Sequence, residues 1–447
     1  MRSRLFLKLA VITALTVGLL LPLIFVGHKV TERSAYAQQA KQEVAKGWAD
    51  PQTVLPPILL LTYEDRVERQ NMGDAAIAAA TYYTEVQLAD AVSVVANVDM
   101  QRRYKGIYSV PVYTSDVSIK GKFPALKKQP IRAELVFSLN DIRGLQGQQV
   151  LEWQGKKYQF DVTNEHRFLR NNLQVELDLR QGEGYSFSLQ TVLRGVDSLA
   201  VVPAAKDFDF TLQSKWPHPS FVGQFLPADR DVSTEGFTAT WNVSHFSTGI
   251  GSVLEQCLKR KCAVADYQSE ALQAEFVEPI NIYQLTDRSL KYGVLFIALS
   301  FMVFFLFECL KGIVMHPMQY GMVGLALAVF YLLLISLSEH LAFGVAYLLA
   351  MLACMSLIYS YLSSVIGNRM YVFGVVTVLS GLYGLLYAIL QSEDYALLTG
   401  STLVFVVLAA LMLLTRKVDW YDLSKQMDFT VNRRVVSEQV VTDKGDG

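Results

Sequence analysis

QYGMVGLALAVFYLLLISLS, residues 319–338, then Glu339-His340, then LAFGVAYLLAMLACMSLIYSYL, residues 341–362, decides the fold of this 447-residue chain. A bilayer's hydrocarbon core is ~30 Å thick and needs roughly 20 apolar residues at about 1.5 Å each, so both runs have the length of membrane-spanning helices. The pattern extends in both directions. From Lys291 to Arg416 the only charged residues in between are Glu308, Lys311, Glu339, Arg369, Glu393 and Asp394, and they fall at the breaks between apolar runs.

Six spans are expected, at residues 9–27, 293–310, 319–338, 341–362, 370–390 and 396–415. Their loops are short enough for basic residues to report orientation. Arg2, Arg4 and Lys8, then Lys311, Arg369, Arg416, Lys417, Arg433 and Arg434 collect on one side, whereas Glu339-His340 and Gln391 to Asp394 mark the other. The positive-inside rule then predicts both termini in the cytoplasm and residues 28–290 outside it. Trp420-Tyr421 and Tyr395 suit the two interfacial belts. Small residues at Ala346 and Ala350, Ser360 and Ser364, and Gly381 and Gly384 read as helix-packing positions.

The first apolar run follows Arg2, Arg4 and Lys8. It is long for the core of a cleaved signal peptide, and the cleavage-like Ala35-Tyr36-Ala37 lies well past it, so an uncleaved signal anchor over residues 1–27 is expected. Four units are expected: the anchor, an outer β-rich domain at 28–290, a five-helix bundle at 291–416 and a cytoplasmic tail at 417–447. The mean hydropathy of +0.27 suits a membrane protein with a large water-exposed part, and the net charge of −1 does not point to nucleic acid.

Residues 28–49 continue the anchor as a helix, with Tyr36, Ala40 and Val44 at four-residue spacing, until Pro51, Pro56 and Pro57. The period then becomes two. Leu173, Val175, Leu177 and Leu179 alternate with polar residues, as do Tyr185, Phe187 and Leu189, then Phe208, Phe210 and Leu212, then Phe237, Ala239, Trp241 and Val243. One apolar and one polar face is the signature of antiparallel strands in a sandwich or open barrel. Gly182-Glu183-Gly184 reads as a hairpin loop between two such strands. The expected class is therefore a six-span α-helical bundle with an antiparallel β-rich outer domain inserted between spans one and two. Cys257 and Cys262 enclose four residues in the exported part, where a local disulfide is expected. Free thiols and a metal site are the alternatives; the latter needs four ligands and no second Cys or His pair stands nearby.

Motifs for chemistry are sparse. There is no H-E-x-x-H, G-x-S-x-G, Walker or G-x-G-x-x-G sequence, so no catalytic residue, cofactor or metal is assigned. Ser244 and His245 are neighbours on an expected strand and point to opposite faces; His218 lies between two prolines without a visible partner. Transporters place ionisable groups near the bilayer midplane, where a charge is costly unless it functions. Here Glu308, Lys311, His316 and Arg369 occupy one set of helix ends, and Glu339, His340, Glu393 and Asp394 the other. Glu308 sits one turn inside its apolar run. It is expected to pair with Lys311 or His316, with a ligand or partner contact as the alternative, and His340 is expected near Glu339, Glu393 or Asp394. Glu308, Lys311, His316, Pro317, Glu339 and His340 are thus candidate bundle-end interface residues, held by exposed pairs worth ~0–1 kcal/mol.

Several segments taken together resemble the CreD family of bacterial inner-membrane proteins. These are Lys291-Tyr292-Gly293, Glu308, His316-Pro317-Met318-Gln319-Tyr320, Phe330 to Leu334 running into Ser336 to His340, Gly106-Ile107-Tyr108 with Val110 to Tyr113, and Gly236-Phe237 with Trp241. Met318 stands where the family usually has valine. The resemblance implies an envelope-integrity factor, induced with a two-component system and linked to colicin tolerance and β-lactam response, with no catalytic residues to carry over. The leading expectation is a non-enzymatic protein in contact with the lipid bilayer and with envelope or membrane proteins of unknown identity. A transporter or exporter of a lipid-like or peptide substrate and an enzyme acting on envelope components are the alternatives. A hydrated cavity crossing the bundle would favour transport, and a deep outer pocket with converging Asp, Glu or His would favour an enzyme.

Overall fold

A computed structural model describes residues 3–67, 79–162, 171–260, 262, 264–278, 282–311, 315–391 and 396–416. The expected tail at 417–447, with Trp420 and Tyr421, and residues 393–395 lie outside the described residues. Two compact units divide the chain: Met1–Tyr36 with Ile280–Gly447, and Ala37–Pro279. The β-rich unit is narrower than the 28–290 expected, because residues 28–36 and 282–290 continue helices whose apolar runs lie deeper in the chain.

Helices α1 (Ser3–Gly18) and α2 (Leu20–Gly47) form one long segment interrupted at Leu19, whose N–H still reaches Leu15 O at 2.9 Å. Helix α3 (Ile250–Lys259) belongs to the β-rich unit. Helices α4 (Ile282–Lys311), α5 (Pro317–Ser338), α6 (Phe343–Ile366), α7 (Arg369–Gln391) and α8 (Ala396–Thr415) follow. Among the described residues, five helices are long and apolar enough to cross a membrane: the segment Lys8–Gly47 and four from Ile282 to Gln391.

Aromatic rings fill the centre of the bundle. Phe330 of α5 lies 5.3 Å from Tyr347 of α6 and 4.7 Å from Tyr383 of α7, and Phe296 of α4 lies 4.5 Å from Tyr383, centroid to centroid. Buried hydroxyls need partners in a medium without water. Tyr347 Oη donates to Tyr383 O at 2.7 Å, and Cys354 Sγ donates to Ala326 O at 3.2 Å. Of the small pairs read as packing positions, Ala346 and Ala350 are buried, whereas Gly381 and Gly384 face open space and Ser360 and Ser364 are exposed. The close approaches occur elsewhere. A stripe of leucines on the first segment sits on glycines: Leu15 on Gly321, Leu19 on Gly324, and Leu23 on Gly293.

Two eight-stranded sheets build the β-rich unit. The first runs Pro219–Val222, Leu272–Phe276, Ser198–Val201, Gln52–Val67, Arg132–Leu139, Asn172–Glu176 and Asp161–Val162, with Ala79–Gln87 also on Gln52–Val67. The second runs Asp229–Ser233, Gly236–Ser244, Ala205–Ser214, Ala89–Lys105, Tyr108–Phe123, Tyr185–Val196, Leu145–Trp153 and Lys156–Gln159. Their inner faces share one core, with Leu59, Leu61, Leu135 and Leu173 from the first and Val94, Ile119, Phe187, Phe210 and Trp241 from the second. This is a sandwich, and the alternating residues named from the sequence are its inward face. The pairing is not wholly antiparallel: Gln52–Val67 runs parallel to Ser198–Val201, and Ala205–Ser214 parallel to Ala89–Lys105.

Two local expectations change. Gly182-Glu183-Gly184 is not a hairpin, because Asn172–Glu176 pairs in the first sheet and Tyr185–Val196 in the second. Alternation reports which face is apolar but not which strand lies alongside, so the segment carries the chain between sheets. Gln52–Val67, buried through much of its length, is a central strand containing Pro56 and Pro57. Proline cannot donate to a ladder, and both prolines sit where the register with Arg132–Leu139 shifts between Leu55 and Ile58.

Helix α3 covers the other face of the first sheet, where Ile250, Leu254 and Tyr267 pack on Leu55, Leu60, Val136 and Ala200. Cys257 and Cys262 are joined by a disulfide within this layer, their Cα atoms 5.3 Å apart, and both are buried. Burial pushes the Tyr267 hydroxyl up to about 12, partly offset by its hydrogen bond with Ser138.

Asp141 anchors the end of α2 within this unit. Its carboxylate accepts from Arg143 Nη2 at 2.6 Å and from the N–H groups of Asp50 and Arg143 at 3.0 Å each, while Arg143 Nη1 donates to Lys46 O at 2.7 Å. Burial alone would raise the Asp141 pKa, but these hydrogen bonds and the guanidinium charge outweigh it and hold the carboxyl below its ordinary value of 3.8. The unfolded chain therefore binds this proton more readily. The stabilisation is complete above the ordinary value and is lost as pH falls through the lower folded value. Chemical denaturation between pH 7 and pH 3 should show a steeper loss for the parent than for Asp141→Asn; parallel curves would remove Asp141 from the acid response.

Candidate functional site

Helix α5 begins with His316 as its N-cap. The ring Nδ1 accepts the Met318 N–H at 3.2 Å, Gln319 Oε1 accepts the His316 N–H at 3.0 Å, and Pro317 takes the first helical position, where its missing N–H is not needed. The His-Pro-x-Gln segment is thus a reciprocal cap that fixes where α5 starts. Tyr320, one turn further on, is 1% exposed, and its hydroxyl donates to Glu308 Oε2 at 2.8 Å.

Glu308 is 2% exposed, near the end of α4. Its other oxygen is paired with Lys8 of α1 and also accepts the Met315 N–H at 3.2 Å, while Lys8 Nζ donates a second bond to Met315 O at 3.2 Å. A buried carboxylate is tolerated only when charge and hydrogen-bond partners both reach it, and here two donors besides the ammonium do so. This differs from the pairing expected with Lys311 or His316. The His316 ring caps α5 and is solvent-exposed, and the Lys311 side chain lies outside the described residues. Lys8 could not have been matched to Glu308 by spacing, since 300 positions separate them.

At the opposite end of α5, Glu339 closes the helix with its side chain 9% exposed, and Arg33 Nε approaches its Oε1 at 3.5 Å. His340 is exposed, and its N–H bonds to Leu337 O at 3.1 Å. The expected partners Glu393 and Asp394 lie outside the described residues. The structure therefore brings Glu308 together with Lys8, Met315 and Tyr320, and Glu339 with Arg33. It gives His316 and Pro317 a capping role.

The β-rich unit carries a separate open cleft of about 500 Å³. A transverse row of polar side chains crosses five strands there: Asp116, Asn97, Gln213, Thr238 and Asp231 stand opposite one another in register. Asp99, Glu235 and Lys215 add charge at its margin. Such a lining can hydrogen-bond hydroxyls or hold a cationic group. His245 stands apart, its ring against Phe246 at 3.9 Å. Among the described residues, no group of three or more His, Cys, Asp or Glu side chains is arranged to hold a metal ion.

A family model described as Inner membrane protein CreD matches residues 4–421. The chain belongs to the CreD family. It is 31% identical over 458 residues to the inner membrane protein CreD of Escherichia coli (strain K12), the match covering 99% of this chain and 98% of that one. Among solved structures, a Legionella pneumophila protein described as a nutrient binding protein is 6% identical, covering 55% of this chain and 85% of its own, with a TM-score of 0.29, too low to indicate a shared fold. With its apolar helices, this family member is a multi-pass inner-membrane protein.

The burial of Glu308 revises the energy expected for the bundle end. Removing one partner of a buried pair typically costs about 3–5 kcal/mol, against ~0–1 for an exposed one. Lys8 is partly exposed at 16%, which places Glu308→Ala at the lower end of the buried range. Thermal unfolding of the detergent-solubilised protein should show a clear drop in midpoint for Glu308→Ala and a smaller one for Tyr320→Phe; a midpoint unchanged in Glu308→Ala would contradict the buried-pair assignment.

Proposed function

We propose that this protein is a non-enzymatic, six-span component of the inner membrane whose β-rich unit works in the periplasm to maintain the envelope under stress. The single observation that carries this reading over transport is the bundle interior. Phe296, Phe330, Tyr331, Tyr347 and Tyr383 interlock there, and the carboxylates Glu308, buried, and Glu339, half-buried, lie at opposite ends of α5 rather than at its middle. A filled centre suits a scaffold that acts by contact. Helix α8 supplies the sixth span, with 20 residues and no charged side chain. Both termini are cytoplasmic in this reading, supported by the basic residues at one set of helix ends. Its partners are the lipid bilayer and envelope or membrane proteins that meet the β-rich unit.

The cleft in the β-rich unit favours a second reading, action on an envelope component. Four carboxylates, Asp99, Asp116, Asp231 and Glu235, line it. Alanine substitution of each of these, scored by survival under detergent or β-lactam stress, separates the two. Graded losses are expected if the unit works through contacts, whereas one position that abolishes protection at normal expression would defeat the non-enzymatic reading.

Orientation has its own test. Reporter fusions active only in the periplasm are expected to give signal within residues 60–280 and near 393, and none near 316, 369 and 430. Signal near 369 would overturn the six-span arrangement.

A further inference from the structure

Two glutamates at the ends of the bundle, Glu308 buried and Glu339 half-buried, take basic partners from the same N-terminal segment. Glu308 is hydrogen-bonded to Lys8, and Glu339 Oε1 has Arg33 Nε at 3.5 Å, an ion pair without a hydrogen bond. Between these two contacts, the segment meets the bundle through leucines set on glycines: Leu15 near Gly321, Leu19 against Gly324 and Leu23 near Gly293. A leucine stripe repeating every four residues on small-residue notches looks nearly the same after a shift of one helical turn, about 5.4 Å. Apolar packing therefore holds the helix on the bundle but discriminates weakly between registers.

Charge pairs discriminate strongly, because a slipped register would leave a carboxylate buried without its cation. Lys8 and Arg33 are separated by a helical length of about 37 Å, slightly more than the ~30 Å hydrocarbon core. A slide in either direction breaks both pairs at once. We propose that the N-terminal segment is a strap, held in one register by a two-point electrostatic clamp: Lys8–Glu308 at one membrane edge and Arg33–Glu339 at the other. The Lys8 end is the fixed pin, since Tyr320 and the Met315 N–H hold Glu308 in place whether or not the lysine is present. The Arg33 end is the releasable latch, because Arg33 is 45% exposed to screening ions and its 3.5 Å approach to Glu339 Oε1 makes no hydrogen bond. This inference does not depend on the envelope role.

The test reads register directly in the full-length protein. Cysteines replacing Leu15 and Gly321, whose positions face each other, are to be crosslinked in native membranes, with Cys309 and Cys354 both changed to alanine in the background. In this background Arg33→Glu should lower crosslinking yield roughly fivefold, although residue 33 lies several turns away, and Arg33→Glu with Glu339→Arg should restore it. Raising salt should lower the yield in the parent and leave Arg33→Glu unchanged. Glu308→Gln serves as a second arm, keeping the size of the side chain while removing its charge, and should also lower the yield. Yields unaffected by Arg33→Glu, or not restored by the exchange of charges, would overturn the clamp. Reporter fusions on each variant check that insertion is intact, so a lost crosslink reports register.

Discussion

A carboxylate placed almost wholly out of water at the end of an apolar helix bundle demands a cation and hydrogen-bond donors from the protein itself. In this chain the demand of Glu308 is met from three directions: Lys8 on the first helix, Tyr320 on α5 and the backbone of Met315. Each supplier constrains an element. The lysine seats the amino-terminal helix, the tyrosine sets the rotation of α5, and the reciprocal cap at His316 and Gln319 determines where that helix begins. The aromatic packing around Phe330 and Tyr383 then fills a space whose walls these polar contacts have positioned.

The β-rich unit solves a different problem with the same logic. Its core comes from two sheets whose inward residues are mostly large and apolar, and its polar anchoring is concentrated at the join with α2. There Asp141, Arg143 and Gln52 satisfy one another and the terminal carbonyl of Lys46, while the guanidinium groups of Arg103 and Arg194 lie over the Trp48 ring at 4.7 and 4.3 Å from its centroid. Helix ends leave carbonyls unpaired, and a nearby arginine is a common remedy.

What was legible in the sequence followed from periodicity and length. Runs of apolar residues announced the helices, and alternation at Phe208 to Leu212 and Phe237 to Val243 correctly marked the inward faces of strands. The His316-Pro317 start of α5 could also be read locally, because capping uses neighbours in the chain. Partners distant in sequence could not. Nothing near Glu308 announces Lys8 or Tyr320, and nothing near Gly182 announces that its two flanking strands enter different sheets. Pro56 and Pro57 read locally as helix-ending residues, and only the register shift beside them shows how a central strand accommodates them.

The topology of the first sheet has a consequence for how the chain acquires its structure. Gln52–Val67, the earliest strand, pairs with Ser198–Val201, and that strand pairs in turn with Leu272–Phe276, just before α4. Ala79–Gln87 and Arg132–Leu139 can pair with this strand early, but its edge at Gln52–Val54 waits for Ser198–Val201, and that strand for Leu272–Phe276. The sheet is therefore complete only when nearly the whole insert has been made. Pairings this far apart along the chain form slowly and leave sticky intermediates. Newly made protein is thus most vulnerable to aggregation and proteolysis in the interval before residue 276 emerges, and any shortage of chaperone capacity would strike this protein during its birth rather than in its mature state.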